Sequence, residues 1–234
     1  MFLFERVEIF RNLLFNSRTS FAFILKALNL FFQLLSIFFI AKNFTESEMG
    51  KYYLLMSFFG LQILGDLGFT KTMSIFLSHE SSKVSIYNKS IKGDIQTLQT
   101  IKTIVSIVFN WFIKSSVVLF IVYFFLGIVF FIIKEHNSEI FLLWVLLSFL
   151  SCISLFSSLV TSFLQGINQI NKANFYASFQ LIVSNILFFS TISNFGLHSM
   201  LFKMLGFILV FFVCMGYYKN LIKLLIKTEK RNEI

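Results

Sequence analysis

The sequence predicts an all-α fold: a polytopic membrane bundle of six transmembrane helices with both termini in the cytoplasm. Three observations carry that expectation. Hydrophobic residues make up 57% of the 234 and charged residues 13%, with a mean hydropathy of +0.81, well outside the range of soluble globular domains. Apolar runs of about 20 residues, the length that a ~30 Å hydrocarbon core requires, recur between short polar turns. With the N-terminus inside, fourteen of the twenty Lys and Arg fall in inner segments and three in outer ones, and cytoplasmic loops are the ones that carry the Lys/Arg excess.

The order of elements follows from these runs. Residues 1–19 mix Phe, Leu, Val and Ile with Arg6, Arg11 and Arg18, the pattern of an interfacial amphipathic helix. The first apolar run is too far from the terminus and too long to be a cleaved signal peptide, so it is expected to stay in the mature chain. Spans are expected at 20–41, 52–78, 115–133, 140–164, 175–193 and 197–218, together forming one membrane lobe over 20–218. A polar stretch rich in Lys and Ser, 79–99, separates the second and third. Residues 100–112, flanked by Lys102 and Lys114, read as an interfacial or cytoplasmic extension of the third. Residues 219–234 form a basic cytoplasmic tail, starting as an amphipathic helix.

Composition also excludes functions. A formal charge of +9 in so apolar a chain reports membrane topology, so no nucleic-acid partner is expected. Cys152 and Cys214 sit inside apolar runs without a C-x-x-C neighbour, which implies neither a disulfide framework nor a metal site. There is no G-x-x-x-x-G-K-[ST] loop for ATP, no H-E-x-x-H and no serine-triad pattern. The chain is expected to be neither an enzyme nor a cofactor protein. Thirty-five Phe with no Pro point to an AT-rich coding sequence, which weakens any argument from aromatic clusters.

The segment from Ala41 to Glu80 organises the rest. A short turn with acidic residues leads into Gly50-Lys51-Tyr52, and the hydrophobic run that follows carries Asp66-Leu67-Gly68. This order, with Gln165-Gly166 closing the fourth span before a polar turn, resembles the polysaccharide-biosynthesis membrane proteins. These are lipid-linked oligosaccharide flippases of the multidrug/oligosaccharidyl-lipid/polysaccharide exporter superfamily. The resemblance covers about residues 10–227 and extends to one six-span lobe, where family members typically have two. It implies transport of an O-antigen, capsule or exopolysaccharide repeat unit, carried on an anionic polyprenyl-pyrophosphate lipid, across the bacterial inner (cytoplasmic) membrane. It also implies a homodimer or a separately encoded second lobe.

Candidate substrate-binding residues are polar positions within the runs. In the first span Lys26, Asn29, Gln33 and Ser36 recur at three, four and three residues, which places them near one helix face. A lysine at a span centre costs roughly 2.5–3.5 kcal/mol on insertion scales, so this stripe lines a wet cavity or packs on another helix, with snorkelling of Lys26 to the headgroups as the alternative. In the second span Gln62, Asp66 and Thr70 recur every four residues, and Asp66 is the only acid deep in an apolar run. Intramembrane acids mark pathways or pair with a base. Lys71 lies about 140° round the helix from Asp66, so pairing needs a kink near Gly68 or a partner such as Lys26. For Asp66 a role in helix packing competes with substrate contact. Ser148, Ser151, Ser154, Ser158, Thr161 and Gln165 line the fourth span, a spacing that favours close packing. Lys203, in the outer half of the sixth, meets a phosphate in a cavity or reaches the interface.

Three other readings stand beside the flippase. An ion-coupled multidrug exporter half would use Asp66 as the carrier, although the excess of intramembrane lysine over acid disfavours cationic substrates. A glycan-assembly enzyme would need a large catalytic loop with paired carboxylates. A truncated, inactive remnant is the third.

Overall fold

The computed structural model describes residues 17–81, 85–87, 90–92, 94–134 and 136–227; the amphipathic segment expected at 1–19 falls largely outside them, as does the end of the tail. Helix α1 is Ser17–Asn43. The second leg is built from α2 (Glu46–Phe59), α3 (Gln62–Asp66) and α4 (Phe69–Ser81). A two-stranded hairpin follows, β1 (Ser85–Tyr87) paired antiparallel with β2 (Ser90–Lys92), Ile86 opposite Ile91. Then come α5 (Ile95–Gly127), which continues as a π-helical segment Ile128–Lys134, α6 (Ser138–Gly166), α7 (Ile170–Phe195), a single 3-10 turn at Gly196–His198, and α8 (Ser199–Lys227).

The described residues are therefore helical apart from one small hairpin, in the polar stretch between the second and third apolar runs. There Ser-Ile-Tyr and Ser-Ile-Lys alternate polar and apolar residues with the period of two that suits a strand. The stretch 100–112 belongs to one unbroken helix with the third run. At 40 residues, Ile95–Lys134 is about 60 Å long, twice the hydrocarbon thickness.

Turn chemistry sets the helix boundaries. Thr45 and Glu48 form a reciprocal capping box at the start of α2: Glu48 N donates to Thr45 Oγ1 at 3.3 Å, and Thr45 N donates to Glu48 Oε2 at 2.9 Å. Asn137 Oδ1 accepts from Ile140 N at 3.1 Å and starts α6. Such caps satisfy amide donors that the first helical turn leaves free. Gly196, with φ of 50°, reverses the chain between α7 and α8 in a backbone region that glycine tolerates best.

Contacts give the direction of each leg. Asn29 meets Ser178 and Ser36 meets Asn185, both at a sequence separation of 149, so α1 and α7 run parallel. Gln62 meets Ser151 at a separation of 89, and Leu77 meets Gly166 at the same offset, so the second leg runs parallel to α6. Leg three is antiparallel to both: Phe59 packs on Tyr123 and Phe69 on Trp111, while Phe124 packs on Phe141 and Phe112 on Phe156. Likewise α8 folds back on α7, pairing Phe202 with Phe195 and Phe207 with Gln180. Ser157 meets Gln180 and Leu164 packs with Ala173, so α6 and α7 are antiparallel and the six described legs alternate in direction.

Among the described residues, length and hydropathy alone mark four helical stretches able to cross a membrane, Ala22–Asn43, Ile95–Lys134, Ser138–Gly166 and Ile170–Gly216, and the bent pair Glu46–Asp66 with Phe69–Ser81 makes a fifth. The chain is accordingly a multi-pass membrane protein in which Ile170–Gly216 holds α7 and the start of α8 folded against each other.

The core lies between legs two, three and four. Trp144 is wholly buried. It stacks on Phe59 at 5.4 Å, meets Tyr123 edge-on at 5.6 Å and donates its indole N–H to the Tyr123 carbonyl at 2.7 Å. Gly127 makes room for it: a Cβ there would collide with the Trp144 ring. At the other end of α6, a Cβ on Gly166 would come within 2.5 Å of the Leu77 Cβ, so α4 and α6 cross in near backbone contact, as small residues permit in membrane bundles.

Candidate functional site

The expected site residues fall in three separate places. The first is the break in the second leg. The expected continuous span 52–78 is instead bent by 42° between Glu46–Asp66 and Phe69–Ser81, because Leu67 and Gly68 both take positive φ, 44° and 79°. Asp66 sits at this break. Its Oδ1 accepts from Thr70 N at 3.0 Å and its Oδ2 from the Thr70 hydroxyl at 2.7 Å. The carboxylate therefore does the work of a capping group for α4, where negative charge also meets the positive end of the helix dipole. Trp111 clamps the break from α5, donating its indole N–H to the Gly65 carbonyl at 3.0 Å and stacking on Phe69 at 4.5 Å. Gln62, just before the break, donates through Nε2 to the Ser151 carbonyl at 2.8 Å and to Ser154 Oγ at 3.2 Å, with Ser151 Oγ also in contact. The regular four-residue face of Gln62, Asp66 and Thr70 is thereby split: Gln62 serves the α6 interface and Asp66 serves α4. Lys71 lies exposed on α4.

The second place is the seam between α1 and α7. Asn29 Nδ2 donates to Ser178 Oγ at 3.2 Å, and Ser36 Oγ lies 3.2 Å from Asn185 Oδ1. Phe32 and Phe39 bracket Phe189 at 6.4 and 4.6 Å. Of the expected stripe, Asn29 and Ser36 enter this seam, whereas Lys26 and Gln33 are exposed beside it. The difference is angular. Residues at i and i+7 keep register along a seam, and positions three or four away sit about 40–60° off to its flank.

The third is around Lys203. Its ammonium rests over the Phe188 ring at 5.0 Å to the centroid, a cation–π contact. Phe188 in turn packs on Tyr52 at 6.1 Å. Lys203 is thus tied to the α2–α7–α8 corner at the end of the bundle that holds the Thr45–Glu48 cap and the Gly196 turn.

A fourth polar cluster was not foreseen from sequence. Ser157 Oγ donates to Gln180 Oε1 at 2.8 Å, so its contact with Tyr176 Oη, also 2.8 Å, takes the tyrosine as donor. Gln180 Nε2 then donates to the Phe207 carbonyl at 2.7 Å. This ordered relay ties α6, α7 and α8 together and leaves the Tyr176, Ser157 and Gln180 side chains satisfied in the buried interior, as stability there requires. The spacing of Tyr176, Gln180 and Ser184, every four residues along α7, is the signal that could have found it.

These arrangements hold helices together through neutral hydrogen bonds, with one carboxylate at a helix break and three lysines at separate points. Among the described residues no group of three or more His, Cys, Asp or Glu is placed to hold a metal ion. No family model, no curated protein and no solved structure matches this chain.

Proposed function

We infer that the chain is one six-span lobe of a flippase-type exporter, moving an anionic polyprenyl-pyrophosphate-linked oligosaccharide across a bacterial cytoplasmic membrane. The observation that carries the reading is the alternation of six legs, the second broken at a half-buried Asp66. With six crossings, both ends of the lobe lie on one side, in accord with the Lys/Arg bias. Broken membrane helices expose backbone groups and charge where transporters handle their cargo, and lysines at different depths suit an anionic lipid. A second copy, or a separately encoded lobe, completes the enclosure.

The test is surface-glycan display in a bacterium deprived of its own repeat-unit flippase and supplied with this chain, with or without its neighbouring gene products. Restored display supports the reading; failure in every combination, with the protein present in the membrane, rejects it. Two substitutions then sort the roles of Asp66. Asp66→Asn keeps an acceptor for Thr70 and removes the charge, whereas Asp66→Ala removes both. Loss of display in Asp66→Asn assigns the charge to transport. Loss confined to Asp66→Ala assigns the residue to helix capping alone.

A further inference from the structure

Among the described residues, Gln33 is an exposed amide in the apolar run of α1 that no hydrogen bond satisfies. It lies within about 5 Å of helix rise of the midpoint of α1, its side chain is exposed, and no hydrogen bond joins it to another described residue. A primary amide carries two donors and an acceptor oxygen with two lone pairs. In hydrocarbon none of these finds a partner, and the cost falls on the folded state. Leu30 and Ile37, 61% and 55% exposed, stand three residues before and four after Gln33. The three form a straight seam at coiled-coil spacing, on the flank of the α7 seam and therefore free while α7 is in place. Phe31 and Phe38, also exposed, lie about 140–160° round the helix from Gln33 and face elsewhere, whereas Leu34, four residues after Leu30 and three before Ile37, flanks the seam.

We propose that a second copy of this chain covers the Leu30–Gln33–Ile37 seam, in a parallel two-fold dimer whose Gln33 amides hydrogen-bond each other across the axis. The amide is both donor and acceptor, so its own symmetry mate supplies both reciprocal bonds. Lipid tails supply neither. Copies in one membrane share orientation, and a two-fold axis along the membrane normal sets Gln33 opposite Gln33 with Leu30 and Ile37 packed on either side. Interhelical glutamine bonds of this kind drive association of membrane helices. Lys26, one heptad from Gln33 on the same stripe, lays its stem along the edge and sends its ammonium to the headgroups. The inference rests on the membrane fold and not on the transport assignment.

The full chain in liposomes provides the test. Leu30→Cys and Ile37→Cys should each yield oxidised dimers above the background of the parent chain, which carries Cys152 and Cys214. Phe31→Cys and Phe38→Cys should not. Gln33→Leu, which suits lipid and so leaves the lobe folded, should weaken self-association measured by energy transfer about tenfold, with Gln33→Asn in between. A monomer at every protein-to-lipid ratio, cross-linking through Phe31 or Phe38, or unchanged association of Gln33→Leu overturns the proposal. So does labelling of Gln33→Cys by a membrane-impermeant thiol reagent, which would mean that water covers the face. A dimer that displays no glycan in any combination with its neighbouring gene products would reject the transport reading and leave this one standing, and a glycan-exporting monomer would do the reverse.

Discussion

The centre of the bundle and its edge are held by different means. At the centre, Trp144, Tyr123, Phe59 and Phe131 pack into a nearly fully buried cluster, and glycines at 127 and 166 let backbones and rings approach closely. At the edge, α1 rests chiefly on α7 through two hydrogen bonds and a few rings. Lipid tails are as apolar as leucine, so burying apolar surface does not by itself bring helices together in a bilayer. What remains is dispersion from close fit, strong at the centre, and polar pairing, weak but specific at the edge. The edge is accordingly the part able to re-pair with another surface.

That contrast can be broken at graded cost. Trp144→Ala should have the largest effect, about 3 kcal/mol of lost stability; this is the low end for truncating a buried aromatic, because transfer to lipid is not forfeited. Steric-trap or SDS-unfolding equilibria measure it, and a loss under 1 kcal/mol would mean that the cluster is loosely packed. Gly166→Val should come next, at about 1–3 kcal/mol from overpacking against the Leu77 Cβ and the Ser74 carbonyl, visible in the same assay. Asp66→Ala should cost about 1 kcal/mol as a lost cap. Spin labels placed on α2 and α4 should also report a changed distance across the 42° bend; an unaltered distance would assign the bend to Leu67, Gly68 and Trp111 alone. Ser36→Ala should be smallest, about 0.6 kcal/mol, and should loosen α1 from α7 without disturbing the centre. If Ser36→Ala unfolds the whole bundle, the distinction between centre and edge fails.

Much of the helical layout was legible in the sequence, and the reason is hydropathy. The apolar runs at 20–41, 140–164 and 175–193 each lie inside a helix of the structure, since a helix is the way a continuous apolar segment satisfies its own backbone in lipid. The capping box Thr45-Glu46-Ser47-Glu48 was also readable, in the S/T-x-x-E pattern that signals a helix start. The broken leg was less so. Gly65, Asp66 and Gly68 announced weakness in the helix, but a regular period makes Gln62, Asp66 and Thr70 share a face, and two positive φ values dissolve that face.

The candidate site divides the same way. The sequence by itself determined which residues are costly in a membrane: Asp66, Lys26, Lys71, Lys203, Gln33 and Asn29 are polar wherever the chain folds. Only the tertiary structure decided how each is satisfied. Asn29 and Ser36 find Ser178 and Asn185, 149 residues away; Gln62 finds Ser151; Asp66 turns to its own neighbour Thr70; and Lys203 lies on a ring. Gln33, within three or four residues of Asn29 and Ser36, is left without a described partner. The physical reason is that a helical period places residues round an axis to within tens of degrees, whereas a hydrogen bond needs its partner within about 3 Å, and that partner comes from a different part of the chain.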